Sequence, residues 1–262
     1  LNPKTHFIGI AEYDRYSCFS SKRRSETEIE YKAGLSPGGL GIFFDEDLCA
    51  FRVNPEAKTE DARKIYLKSL PGPLLSDLIK EIPLERFFDH TSLYLGYSFL
   101  LSSSINFIKL CCYREKDSPK PQLDVFLPGF RSNHLSSSPL FYFLKQHIKD
   151  FDLTFLKKCN ISAISFGDLS IKISEDPGKT LVLHNPIQIN NGSFKLLLKA
   201  SEPFFLATGD QSFSQGISAG KIIYYELLNH KKTLHNAFLK EAASQDKLRA
   251  LLKILWTDFS KQ

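Results

Sequence analysis

The sequence predicts an α/β fold: a Rossmann-like parallel sheet with helices on both faces, preceded by a partial N-terminal α/β segment. Three observations carry this expectation. From residue 74 onward, short strand-like runs alternate with segments of helical periodicity, the pattern of βαβ units. Several of these runs, such as TLVLH at 180–184 and FFLA at 204–207, are apolar at consecutive positions, as in strands covered on both faces. The 262 residues, 42% hydrophobic and 24% charged, suit one large globular domain or two modest ones.

Residues 1–73 are the less regular part. Apolar runs at 6–11 and 40–44 flank a polar stretch, 20–31, that holds Lys22, Arg23 and Arg24. GLSPGGLG at 34–41 is built of turn formers and opens onto Ile42, Phe43 and Phe44. The texture changes at Pro71-Gly72-Pro73. Periodicity then predicts a helix over 74–88, a strand over 93–99 (LYLGYSF) and a helix over 102–113 with Ser102 as its cap. A strand at 123–127 (LDVFL) precedes a helix over 139–151, capped by Ser138 with Pro139 in its first turn. The series continues as strands 161–166 and 180–184, helix 193–200, strand 204–207, helix 211–219 and strand 222–225. Helices at 233–243 and 247–259 close it, which divides the chain into 1–73, 74–235 and 236–262.

Charge and cysteine usage exclude several classes. The net charge of +5, from 34 Lys+Arg against 29 Asp+Glu, is spread along the chain; it suits an anionic small ligand and argues against a nucleic-acid partner. Cys18, Cys49, Cys111, Cys112 and Cys159 are odd in number and form no C-x-x-C pair. Neither a disulfide framework nor a zinc site is expected, and the reading is of a reducing, cytoplasmic compartment. No apolar run reaches bilayer length, so neither a secretory signal nor a membrane span is expected. The start at Leu1 leads to the expectation that a further N-terminal part precedes it.

The stretch FFLATGDQSFSQGISAGKIIYYE, 204–226, is the most informative. An apolar strand stops at Gly209, a helix follows, and a second apolar strand ends at Glu226. In an open parallel sheet, ligands bind beyond the carboxyl ends of the strands. A strand-to-helix turn there offers free backbone N–H groups and the positive end of a helix dipole, which suits phosphate. Gly209 would let the backbone approach a diphosphate, with Asp210, Gln211 and Ser212 adding donors and a cap. Equally, Gly209 would serve a tight turn and Asp210 would be only the N-cap. The small residues Gly216, Ser218, Ala219 and Gly220 would let the helix pack close to the sheet.

This stretch resembles the donor-binding signature of GT-B glycosyltransferases: a strand, a glycine turn, a helix with an acidic or amide residue, then AGK before the next strand. Its wording, TGDQS…SAGK…YYE, is also similar to effector glycosyltransferases that intracellular bacteria secrete. The resemblance covers roughly the last two-thirds of the chain. It implies that 74–235 is a nucleotide-sugar-binding domain and 1–73 part of an acceptor-side domain. The diphosphate would lie on Gly209, Asp210, Gln211 and Ser212, and the ribose on Gln215, where relatives carry a carboxylate. The first turn, 97–102 with Ser98, would be the second phosphate-facing loop, although it lacks the glycine that many relatives place there. The base would lie near Phe166, Gly167, Asp168 and the His184-Asn185 pair, with a satisfied histidine at the core's edge the simpler role for His184. The implied activity is sugar transfer from a GDP- or UDP-sugar to an acceptor, without a metal or other cofactor. The acceptor would be a host protein if the chain is secreted into a host cytosol. A nucleotide-sugar epimerase or hydrolase of the same fold, or a non-catalytic interaction module, are the alternatives.

Candidate catalysts come from the residues themselves. Glu12 and Asp14 follow the strand-like FIGIA, and His90, beside Asp89, precedes the first strand of the main unit. Arg131, beyond the strand LDVFL, is the cation expected to face phosphates. Lys221 precedes its strand, and so falls on the wrong side, as a solvated surface residue. Asp45-Glu46-Asp47 reads as a solvated turn or helix cap before it reads as a metal site.

Overall fold

The computed structural model describes residues 8–11, 29–32, 44–80, 82–128, 153–166, 169–185, 189–228 and 232. The expected helices at 139–151, 233–243 and 247–259 lie outside these residues. Strands β1 (Ile8–Ala11) and β2 (Ile29–Lys32) form a two-stranded parallel sheet of their own.

The main sheet has seven strands: β3 (Thr91–Gly96), β4 (Gln122–Phe126), β5 (Ile161–Phe166), β6 (Leu169–Lys172), β7 (Lys179–His184), β8 (Phe204–Ala207) and β9 (Ile222–Tyr225). Their spatial order is β6-β5-β7-β4-β3-β8-β9, and every pairing is parallel except β5 with β6. If the β5–β6 hairpin is set aside as an addition outside β7, the other five strands run 3-2-1-4-5 in chain order. That is the doubly wound arrangement, and its direction reverses between β3 and β8.

Right-handed crossovers then dictate which face each helix covers. Helix α5 (Leu101–Glu115) and the short α6 (Leu153–Lys158) cover one face, burying Phe107, Ile108, Cys111, Cys112 and Leu156 against Val125, Leu181 and Leu183. On the other face lie α1 (Glu46–Val53), α2 (Glu60–Lys68), α3 (Gly72–Ile79), α4 (Phe87–His90), α7 (Asn191–Ala200) and α8 (Asp210–Ser218). Leu48 of α1, Leu67 of α2, Leu197 of α7 and Phe213 of α8 share that core with Leu95, Phe126 and Phe205 of the sheet. Residues 46–68 thus pack on the main sheet. Asp45 caps α1 by accepting from the Leu48 amide at 3.2 Å, which makes the acidic trio a helix start.

Two expected helices differ from the structure. The single helix over 74–88 is broken: Lys80 turns to φ 45°, and Pro83, which has no N–H to donate, leads into a 3₁₀ turn at Leu84–Arg86 before α4. Helix α5 begins at Leu101 with Leu100 in the cap position, so Ser102 is inside the first turn and does not cap it. Gly216 lets α8 lie against the sheet as expected. A Cβ there would sit 2.8 Å from a ring carbon of Phe205 and 3.0 Å from Ile223.

Candidate functional site at the carboxyl edge of the sheet

The switch in strand order brings together the turn after β3 and the turn after β8. Gly96 pairs with Leu206, and the Tyr97 amide donates to the Leu206 carbonyl at 2.8 Å, so the two chains leave the sheet side by side.

At the β8 turn, Gly209 holds the cap position of α8 at φ 93° and ψ 163°, a backbone region essentially confined to glycine. Among the described residues, a Cβ there would meet nothing within 4 Å. Having no side chain, Gly209 cannot cap the helix. Asp210 is the first helical residue, not the N-cap expected of it. The Ser212 hydroxyl is engaged within the turn. Its hydroxyl lies 3.1 Å from the Thr208 amide, which donates to it, and 3.2 Å from the carbonyls of Thr208 and Gly209. Gln215 is buried and donates from Nε2 to Asn191 Oδ1 at 2.7 Å, which ties α8 to α7 and uses one of the two Nε2 hydrogens. Gln211 is exposed. Thr208 is only 4% exposed, and its hydroxyl has no hydrogen-bond partner among the described residues.

The β3 turn is already occupied by an anion from the chain itself. Glu226, the residue after β9, sends its carboxylate across the end of β8. Oε2 accepts from the Phe99 amide at 2.8 Å and Oε1 from the Leu100 amide at 2.7 Å. Glu226 is 1% exposed, and its own amide is fixed to the Ala207 carbonyl at 2.8 Å. Ser98, expected to face phosphate, is buried. Its hydroxyl lies 2.5 Å from Ser104 Oγ and 3.4 Å from the Leu100 carbonyl.

A second polar group sits at the carboxyl end of β7. His184 is 4% exposed and stacks on Phe126, with ring centroids 5.7 Å apart. Its Nε2 lies 3.4 Å from Oδ2 of Asp124, a carboxylate buried at 0% exposure whose Oδ1 accepts from Gln122 Nε2 at 2.8 Å. Its Nδ1 lies 4.0 Å from Asp77 Oδ2 on α3. The approach of Nε2 to Asp124 is a close contact and not a hydrogen bond: among the described residues neither His184 Nε2 nor Asp124 Oδ2 has a hydrogen-bond partner. A histidine beside a buried carboxylate is a candidate for moving a proton. Sequence reading named His184 but missed Asp124, which is buried in a strand that reads as purely apolar apart from it. Glu226 was noted only as a strand end. Its partners are 126 and 127 residues away, and no local pattern signals them.

Of the other candidates, Glu12, Asp14, Arg131, Gly167 and Asp168 lie outside the described residues. His90 ends α4 just before β3, at the amino edge of the sheet. Its Nδ1 donates to the Arg86 carbonyl at 3.0 Å, and its Nε2 accepts from the Arg86 guanidinium at 3.3 Å. Lys221 is also at the amino edge, before β9, but it is not the solvated lysine expected. Its Nζ donates to the carbonyls of Ser201 at 2.7 Å and Glu202 at 3.1 Å. Burial, reinforced by the charge of Arg63, pushes its pKa down to about 7.

Among the described residues, no helix is long and apolar enough to cross a membrane. No protein-family profile matches the chain, and no curated protein matches it.

Proposed function

We propose that this chain is a glycosyltransferase that binds a nucleoside-diphosphate sugar at the carboxyl edge of its sheet and passes the sugar to an acceptor. One observation carries the reading. The α8 turn at the switch point combines a glycine-only conformation and a cap residue with no side chain with, among the described residues, space beside Gly209 and a buried Thr208 hydroxyl that has no partner. A helix start with a glycine cap and close backbone access is the physical form of a phosphate site. The diphosphate belongs at this turn and not at the β3 turn, whose amides serve Glu226. No metal is needed in this scheme, because the helix dipole and the backbone N–H groups supply the stabilisation of the leaving group.

The test is calorimetry with UDP, GDP, ADP and TDP, without metal and then with magnesium. One nucleotide binds clearly, and Gly209→Val abolishes that binding while the sheet stays folded. Equal affinity in the variant removes the site assignment. A second reading has its own observation: the Asp124–His184 pair supplies acid–base chemistry at the same edge, which a nucleotide-sugar epimerase or hydrolase needs. Release of free sugar, or of an epimer, without acceptor would select it over transfer.

A further inference from the structure

We propose that the Phe99 and Leu100 amides at the start of α5 form a second anion site, which Glu226 keeps filled, so that a phosphate-bearing ligand gains it only when this carboxylate is moved or neutralised. The inference deepens the reading above, on which it rests for the ligand's class.

The argument begins with what a carboxylate and a phosphate share. Both present oxygen acceptors about as far apart as two successive backbone N–H groups, and both are favoured at the positive end of a helix. Helix α5 has no side-chain cap of its own. Its entry is capped instead from a distance, by two charge-assisted bonds of 2.7 and 2.8 Å from one buried carboxylate. These amides lie beside the end of β8, on the crevice that the reversal of strand order creates. Thr208, with its unpartnered hydroxyl, stands at the end of β8, between the strand that carries Glu226 and the strand that leads to the amides. The crevice therefore offers donors to an anion on both sides, and the protein has supplied one of the two anions.

Two consequences follow. A diphosphate seated at the α8 turn meets a fixed negative charge from Glu226, which weakens its binding. Removing that charge both relieves the repulsion and frees two aligned donors. Glu226 is also the last residue before 227–228, where the described chain leaves the sheet.

The test is a ¹⁵N-amide NMR titration of the full chain with inorganic pyrophosphate, comparing the unchanged protein with Glu226→Ala and Glu226→Gln. In the unchanged protein, the amides of Gly209–Ser212 shift and those of Phe99 and Leu100 do not. In both variants, Phe99 and Leu100 also shift, and pyrophosphate binds roughly tenfold more tightly. Glutamine keeps the side chain's volume, so it serves if the alanine variant loses its fold. Leu95 and Phe205 amides report that the sheet is intact. If Phe99 and Leu100 stay silent in a folded variant, Glu226 is a helix cap only and the inference falls. If instead the Gly209–Ser212 amides stay silent in every protein, the α8 turn is not the phosphate site. The two failures are read from different amides.

Discussion

Gly209 and Lys221 show how single residues at opposite edges of one sheet are set by different physics. At Gly209 there is room for a side chain but no allowed backbone for one. Gly209→Ala therefore costs backbone strain alone, about 1–3 kcal/mol. Chemical denaturation should show a lower midpoint with an unchanged slope. A neutral result would mean that the turn relaxes to an ordinary conformation. At Lys221 the backbone is ordinary, and burial is the issue. Its pKa falls from 10.5 to about 7, whereas in the unfolded chain it returns to its usual value. Between those values the unfolded state holds one more proton than the folded state. Stability therefore rises with pH across that window, by at most about 1.4 kcal/mol per unit from this group. Below pH 7 the lysine is charged in both states and the contribution is flat. The stability of the unchanged protein minus that of Lys221→Met should grow between pH 7 and pH 10. A constant difference would show that the lysine keeps its charge where it lies.

Between elements, the Asp124–His184 contact joins β4 to β7 and faces α3 through Asp77. Replacing only His184 by leucine takes the neighbouring ring nitrogen away from a buried carboxylate oxygen that has no hydrogen bond among the described residues, and should cost about 3 kcal/mol. Replacing both by leucine should cost less than replacing either one, because no charge is then stranded. Denaturant midpoints for the three variants decide this, and strict additivity would mean that the two side chains do not interact. Elements held mainly by local pattern were legible in the sequence. β5, β8 and β9 were placed at their observed bounds, since a continuous apolar run between turn formers leaves little choice. β6 was missed because Leu169–Lys172 is short and carries a lysine and a serine. α1 and α2 were missed because their charged residues outnumber the apolar ones that dock, and what holds them is the core supplied by α7, α8 and the sheet. At the candidate site, the glycine turn was visible because chain neighbours build it. The Glu226 clasp and the Asp124 partner were not, because both depend on which strands become neighbours.

For the whole molecule, two cores on the two faces of one sheet imply that unfolding one exposes the other. Cys111, Cys112 and Cys159 all lie in the α5 face, and burial raises their thiol pKa values. In a Cys18→Ser background, a thiol reagent should label Cys49 quickly and these three only at the rate of global opening. Labelling of Cys159 well ahead of Cys111 would show instead that the end of α6 opens independently. The hairpin outside β7 also has a bearing on how molecules of this protein meet one another. Among the described residues β6 pairs on one side only, and it runs against the grain of the sheet. Among the described residues its other side has no strand partner, so its backbone groups there are available to a strand of another molecule. Lys172, whose ammonium pairs with Glu175, places a charge on that rim, flanked by Ile171 and Ile173. A charge so placed is a known deterrent to sheet-to-sheet stacking between molecules. Lys172→Val would make residues 171–173 of the rim an unbroken apolar run, Ile-Val-Ile, and concentrated solutions of that variant should form thioflavin-binding fibrils while the parent stays clear.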